Sequence, residues 1–225
     1  MKNPLARLAA VVSELYDDPT STYRWIEVVV AAVRRPAHGA KWLHARLRNR
    51  SPLELGLPWL SWPCVDYLRR HIRPEMRVFE WGGGGSTIFF AEAGCRVVTV
   101  EPNAHWRDLI SARLTAGGHA SARTEIRPIQ ASENGDGPTS AYVNAVHDGG
   151  PWDLILIDGA FRLDCLRAAK DALSPGGVLL FDNADFEEFY EAPRLVPEFQ
   201  RIGLRGLGVG SRRWVTRTDL YRRDD

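Results

Sequence analysis

A doubly wound α/β fold with a mostly parallel sheet, an antiparallel C-terminal hairpin and an N-terminal helical extension is the class this sequence predicts. Three observations predict it. A glycine-rich turn, Gly82-Gly83-Gly84-Gly85, joins an apolar run at 77–81 to a helical stretch at 86–93, followed by a second apolar run ending on Glu101. The runs Val97–Val100, Leu154–Ile157 and Val178–Phe181 are continuously apolar, as strands covered on both faces by helices must be. The tail, Ile202 to Gly208 then Trp214 to Arg222, reads as a hairpin around Gly208-Val209-Gly210-Ser211.

Residues 1–75 read as helical, with no clear strand. Leu5, Leu8, Ala9, Val12 and Leu15 recur at helical spacing, as do Tyr23, Ile26, Val30 and Val33. Trp42, Ala45 and Leu47 suggest a third helix, with breaks at Asp17-Asp18-Pro19, Arg35-Pro36 and Ser51-Pro52. Ser61 is placed to cap a helix from Trp62 to about Ile72, with Pro63 in its tolerated first turn. The Leu-, Pro- and Trp-rich segment Leu53–Trp62 is too apolar for a plain linker; it packs on the main domain or wraps over a pocket. From residue 76 onward a second unit begins. Strands are expected at 77–81, 95–101, 124–130, 153–158 and 177–182, and helices at 86–93, 104–116, 161–173 and about 186–191. Residues 131–150 read as a polar loop, with a short helix near Ser140.

The 225 residues carry a formal net charge of +1, with 44% hydrophobic and 25% charged residues, a balance typical of a globular protein. No global field draws the chain to nucleic acid or to an acidic membrane. The N-terminal stretch lacks the apolar core of a signal peptide, and Val28–Val33 is too short to span a bilayer. Cys64, Cys95 and Cys165 are widely spaced and odd in number, which fits buried free thiols better than a disulfide framework or a zinc site. A reducing cytoplasm is the expected compartment.

Strand, glycine turn, helix, strand and terminal carboxylate outline a nucleotide-binding β-α-β unit. The glycines let backbone N–H groups approach a ligand where a Cβ would clash. The helix N-terminus adds partial positive charge. Glu101 is placed to accept hydrogen bonds from ribose hydroxyls. A dinucleotide fingerprint wants glycine or alanine at the third motif position. Either alignment instead puts Thr87 or Ile88 there.

Four motifs in order resemble the class I S-adenosylmethionine-dependent methyltransferases, whose fold is Rossmann-like: Val78-Phe79-Glu80-Trp81-Gly82-Gly83-Gly84-Gly85-Ser86-Thr87, Val98-Thr99-Val100-Glu101, Trp152–Gly159 and Leu173–Asn183. The resemblance spans roughly residues 62–223. It implies a cofactor set of Glu80, Gly82, Gly83, Gly84, Ser86, Thr87 and Glu101. Glu80 would face the cofactor's ammonium and Glu101 its ribose, and Gln130 and Ala131 would stand near adenine. Trp81 and Trp106 either flank the cofactor or pack in the core.

Asp158 after the fourth strand and Asp182-Asn183 after the fifth should converge at the carboxyl ends of a parallel sheet. Asp158, Asp182 and Asn183 are hard ligands suited to Mg²⁺, and the two acids are the catalytic candidates. The set resembles that of the metal-dependent catechol and caffeoyl-CoA O-methyltransferases, in which the ion lowers the pKa of a substrate hydroxyl. Those enzymes carry a lysine base three residues after the first Asp; this chain has Phe161 there, then Arg162. Asp185, His71 and His105 are substitute base candidates, and Glu187, Glu188 and Glu191 form an acidic helix start nearby.

The implied function is methylation of a small-molecule hydroxyl with divalent-metal assistance. Metal-free N- or O-methylation, a protein or peptide acceptor, an NAD-dependent oxidoreductase and a non-catalytic cofactor-binding module are the other readings. The N-terminal helices are expected to shape the acceptor pocket or a homodimer contact.

Overall fold

The computed structural model describes residues 19–119, 123–132, 137–210 and 214–223. The helical spacing at Leu5–Leu15, the center of the 131–150 loop and the tip of the hairpin at Ser211 lie outside these residues. Four helices come first: α1 Pro19–Arg34, α2 Pro36–Leu47, the single turn α3 Pro52–Leu55, and α4 Trp62–His71. The alternating unit follows: β1 Arg77–Trp81, α5 Gly85–Glu92, β2 Arg96–Val100, α6 Ala104–Ala116, β3 Thr124–Arg127, α7 Ser140–Asn144, β4 Trp152–Ile157, α8 Arg162–Ala169 and β5 Leu173–Phe181. The short α9 Ala192–Leu195 leads into β6 Phe199–Leu207 and β7 Val215–Arg223.

The strands form one sheet in the order β3-β2-β1-β4-β5-β7-β6. β1 to β5 are parallel, and β7 runs antiparallel to both β5 and β6. Side chains alternate across each strand, and both faces are covered. Phe79, Trp81, Ile155, Ile157, Leu179 and Phe181 pack under Tyr142, Cys165 and Leu166. Val78, Val97, Leu154, Leu156 and Leu180 pack against Leu60, Cys64, Leu68 and Phe90. The three cysteines are buried and free.

Ser61 caps α4 as expected: its Oγ accepts from the Cys64 N–H and donates to the Leu204 carbonyl. The N-terminal helices pack on the hairpin, where Trp25, Trp42 and Trp214 meet and the Arg46 guanidinium lies 4.7 Å from the Trp214 ring.

Several element expectations are corrected. Tyr23, Ile26, Val30 and Val33 face solvent; Trp25, Val28, Ala31 and Ala32 of α1 turn inward instead. α1 is apolar on more than one face, and a close seat fixes which face is inside: a Cβ on Gly39 would lie 2.8 Å from the Ala32 Cβ. β3 stops at Arg127 because Pro128 has no N–H for the ladder. α8 ends at Ala169, and β5 starts at Leu173, paired with Trp152 across a register shift. The helix expected at 186–191 is one 3-10 turn, Glu187–Phe189, and α9 then starts with Pro193 in its first turn.

Candidate active site

The carboxyl ends of β2, β1, β4 and β5 stand side by side. The Gly82 N–H donates to the Val100 carbonyl, the Asp158 N–H to the Trp81 carbonyl and the Asp182 N–H to the Ile157 carbonyl. The strand order reverses direction between β1 and β4, and ligands of open α/β sheets bind at such a switch point. A cavity of about 740 Å³ opens there. Gly82–Ser86, Glu101, Pro102, Trp106, Tyr142, Asp158 and Arg162 line it, with Asn49, Ser51, Pro52, Leu53, Glu54 and Trp59 of the N-terminal segment on the far side.

Close packing accounts for most of the glycine turn. Gly82 has φ +86°, and a Cβ there would meet the Asp158 carbonyl oxygen at 2.8 Å. A Cβ on Gly85 would lie 2.1 Å from the Leu57 carbonyl oxygen and 2.6 Å from that of Pro52. Gly85 thus admits the strap 52–57 against the start of α5. Around Gly84 the nearest atoms are those of the Trp106 ring, at 3.7 Å. The strap is held by its own cap, with the Ser51 N–H and Oγ on the Glu54 carboxylate and the Glu54 N–H on the Ser51 Oγ.

Glu80 lies beneath the turn, fully buried. Its Oε1 accepts from the Thr87 and Thr99 hydroxyls, and the Gly84 N–H donates to the Thr87 Oγ1. Its Oε2 is buried without a hydrogen bond. Burial pushes the Glu80 carboxyl up to about 7; the nearby Ser86, Thr87 and Thr99 hydroxyls pull it down and the charge of Glu101 adds to the rise. Glu101 accepts from the Gly83 N–H (3.1 Å, Oε2) and the Asn103 N–H (2.9 Å, Oε1). A carboxylate offers about four acceptor sites, so this one keeps capacity for further donors. Burial raises its pKa, and the two backbone N–H groups and Arg107 oppose the rise. The Trp106 Nε1 donates to the Gly83 carbonyl at 2.6 Å, which sets its ring on the cavity wall.

The expected residues fall into three sets. Gly82, Gly83, Gly84, Ser86, Glu101, Asp158 and Trp106 line the cavity. Glu80 and Thr87 form the layer under its floor. Gln130 and Ala131 are outside the lining: Gln130 reaches the Pro102 carbonyl, and Ala131 packs on the core. Trp81 is core, its Nε1 on the Tyr142 carbonyl. His71 ends α4, which leads into the amino end of β1, so it is at the opposite edge of the sheet from the cavity. Its ring stacks on Tyr67, with centroids 4.0 Å apart. Asp185 accepts from the Arg217 N–H, and His105 is exposed on α6 outside the lining.

Asp158, Asp182 and Asn183 do converge, but on Arg162. The Arg162 Nη2 lies 2.9 Å from the Asp158 Oδ1, and Nη1 lies 2.8 Å from the Asn183 Oδ1 and 4.0 Å from the Asp182 Oδ2. Asp182 is fully buried behind it, accepting from the Thr218 hydroxyl at 2.9 Å. These three residues thus surround a guanidinium, and the expected Mg²⁺ assistance is not supported. Among the described residues no group of three His, Cys, Asp or Glu side chains is placed to hold a metal. Phe161 (φ 47°) and Asn183 (φ 58°) flank the arginine in the left-handed region, a conformation that costs about 1 kcal/mol for a residue with a Cβ. Phe161 so turned starts α8 with Arg162 facing back to the strand ends.

A second hollow of about 470 Å³ lies beyond Arg162 and shares Gly159, Ala160 and Arg162 with the first. Phe161, Leu163, Phe186 and Phe189 give it apolar walls, and Asp164 and Glu188 stand on it as well. Reasoning from the sequence missed Tyr142 and Arg162 as lining residues, while Trp59 belongs to the segment Leu53–Trp62 for which a place over a pocket was one of the two expectations. For Arg162 a signal was present: a cation four residues after Asp158, within reach of two more strand-end oxygens.

Several solved structures share this architecture. A precorrin-6y C5,15-methyltransferase from Geobacter metallireducens superposes with a TM-score of 0.54 at 12% identity, over 72% of this chain and 87% of that one. A methyltransferase-like protein from Silicibacter pomeroyi gives 0.50 at 22% identity, over 74% and 91%. The fold is that of the Rossmann-like methyltransferases. A precorrin 8w decarboxylase from Methanobacterium thermoautotrophicum shares it too, with a TM-score of 0.51 at 16% identity over 71% and 88%, so this fold by itself does not name a reaction. No protein-family model matches the sequence, and no curated protein matches it. In the Rossmann-like methyltransferase fold seen here, the antiparallel β7 is inserted between β5 and β6. That departs from the 3-2-1-4-5-6 order of the dinucleotide-binding fold.

Proposed function

We propose that the chain is an S-adenosylmethionine-dependent methyltransferase acting on a hydroxyl of a small molecule. The observation that carries this reading is the joint placement of the glycine turn and Glu101 on one cavity at the switch point, with the buried Glu80 beneath it. The residues fit the cofactor by their chemistry. Glu101 has acceptor capacity for ribose hydroxyls, Trp106 offers a flat apolar wall, and the Glu80 Oε2 is a buried acceptor without a hydrogen bond below the turn. S-adenosylmethionine, when bound, supplies an electrophilic sulfonium methyl group.

The chain's own contribution is orientation and charge placement. The strap 52–57 and Trp59 cover the far side of the cavity and limit water. The apolar hollow beyond Arg162 is the acceptor side, adjoining the cofactor cavity at Gly159 and Ala160. Asp158 lines the cofactor cavity and is paired with Arg162, which lines both; Asp158 is the acid placed to take a hydrogen bond from an acceptor hydroxyl. Asp182, behind Arg162, acts only through its neighbors. The acceptor reading rests on the size and apolar walls of the second hollow, too small for a folded partner.

Calorimetric titration with S-adenosylhomocysteine tests the cofactor half. Saturable one-to-one binding that Glu101→Ala weakens is the expected result. Binding of NADH with none of S-adenosylhomocysteine would replace the methyltransferase reading with an oxidoreductase one.

A further inference from the structure

An arginine side chain has five N–H donors, and those of Arg162 meet five acceptors. Nε donates to the Gly159 carbonyl at 3.0 Å; Nη1 donates to the Asp182 carbonyl at 2.7 Å and the Asn183 Oδ1 at 2.8 Å; Nη2 donates to the Asp158 carbonyl at 3.2 Å and the Asp158 Oδ1 at 2.9 Å. Three of these acceptors are backbone carbonyls at the carboxyl ends of β4 and β5. The guanidinium therefore ties the two strand ends together and has no donor left for a substrate. It also lies 5.6 Å from the Phe189 ring, which lines the second hollow with it.

We propose that Arg162 is a built-in cation that occupies the position of a divalent ion among Asp158, Asp182 and Asn183, and that it positions Asp158 for a metal-independent reaction. Three physical points support the exchange. A guanidinium is planar, permanently charged and weakly hydrated, which suits a buried place among oxygens. Magnesium needs oxygens about 2.1 Å away in near-octahedral array, whereas here nitrogen atoms stand between the oxygens. Admitting an ion requires the arginine to leave and surrender all five hydrogen bonds. The left-handed backbone at Phe161 and Asn183 is also maintained on both sides of this one side chain. Arg162 is thus a positioning residue, and a substrate meets Asp158 rather than a metal. The inference rests on the methyltransferase reading for which side the acceptor enters, but its test uses no turnover.

The test is Mn²⁺ binding, followed by calorimetry and by the electron paramagnetic resonance of the free ion, on the full chain and on Arg162→Ala and Arg162→Met. The wild type is expected to show no saturable Mn²⁺ site at millimolar ion. Each variant is expected to gain one site, visible also as an upward Tm shift with Mn²⁺, and to lose it when Asp158→Asn is added. A wild-type site that Asp158→Asn removes would overturn the proposal, as would a folded Arg162 variant that gains none. Should neither variant fold, the wild-type titration decides alone by the same criterion. S-adenosylhomocysteine titrated into the same wild-type sample reads the cofactor proposal separately, so the two can fail independently.

Discussion

Glu101 and Glu80 are two carboxylates with different surroundings. Glu101 lines the cavity and is already braced by the Gly83 and Asn103 N–H groups. Hydrogen bonds to a charged partner contribute about 1.5–3 kcal/mol, so Glu101→Ala is expected to weaken S-adenosylhomocysteine binding about 10- to 100-fold by calorimetry. Glu80 is buried with its carboxyl raised from the ordinary 4.5 to about 7. A carboxyl raised on folding stabilizes the fold relative to its ionized form at low pH, and that contribution is lost as pH rises through the folded pKa. The shift corresponds to about 3 kcal/mol. Urea denaturation of the ligand-free protein should therefore show the wild type losing about that much relative to Glu80→Gln between about pH 4 and about pH 8, most of it between the ordinary value of 4.5 and the folded value of about 7. A flat difference across that range would refute a buried, neutral Glu80. Motif spacing made both acids legible in the sequence. It did not separate their roles, because burial and the hydroxyls of Thr87 and Thr99 come from other elements.

At the scale of elements, the glycine turn and the strap 52–57 interlock. Gly85→Ala sets a Cβ against two backbone oxygens that cannot rotate away. Overpacking costs about 1–3 kcal/mol; with backbone as the obstacle the upper end is expected, a Tm loss of roughly 6–12 °C by thermal denaturation. Gly84→Ala meets only the Trp106 ring, so its Tm should move little while S-adenosylhomocysteine affinity falls, since that methyl stands beside the ring on the cavity wall. The strand-and-helix alternation was legible because the central strands β4 and β5 carry continuous apolar runs, Leu154–Ile157 and Val178–Phe181. The face of α1 was not. Helical spacing selected Tyr23, Ile26, Val30 and Val33, yet the tight seat at Gly39 and the contact between Trp25 and Trp214 placed the opposite stripe inside.

For the whole molecule, the cavity is walled by residues from 49 to 162, with the strap and the sheet both contributing. A ligand that binds only this folded arrangement stabilizes it by mass action. S-adenosylhomocysteine at about a hundred times its Kd should add about 2.7 kcal/mol, a rise in Tm of roughly 5–11 °C. The rise should be the same in EDTA as in Mg²⁺. The hairpin contributes from a distance: the Thr218 hydroxyl holds Asp182, and Trp214 seats the N-terminal helices. No helix of the described residues is long and apolar enough to cross a membrane.

Residue order alone determined the layered α/β class, the glycine turn and the strand-end carboxylates, because hydrophobic period, Gly chemistry and strand ends are local properties of a chain. The occupant of the meeting point of Asp158, Asp182 and Asn183 was decided only in three dimensions. Three oxygens at the right spacing describe an ion site equally well whether a metal or a side chain fills it. Which of the two does so depends on where the left-handed turn at Phe161 sends the next side chain, and that direction exists only once β4, β5 and α8 are packed together.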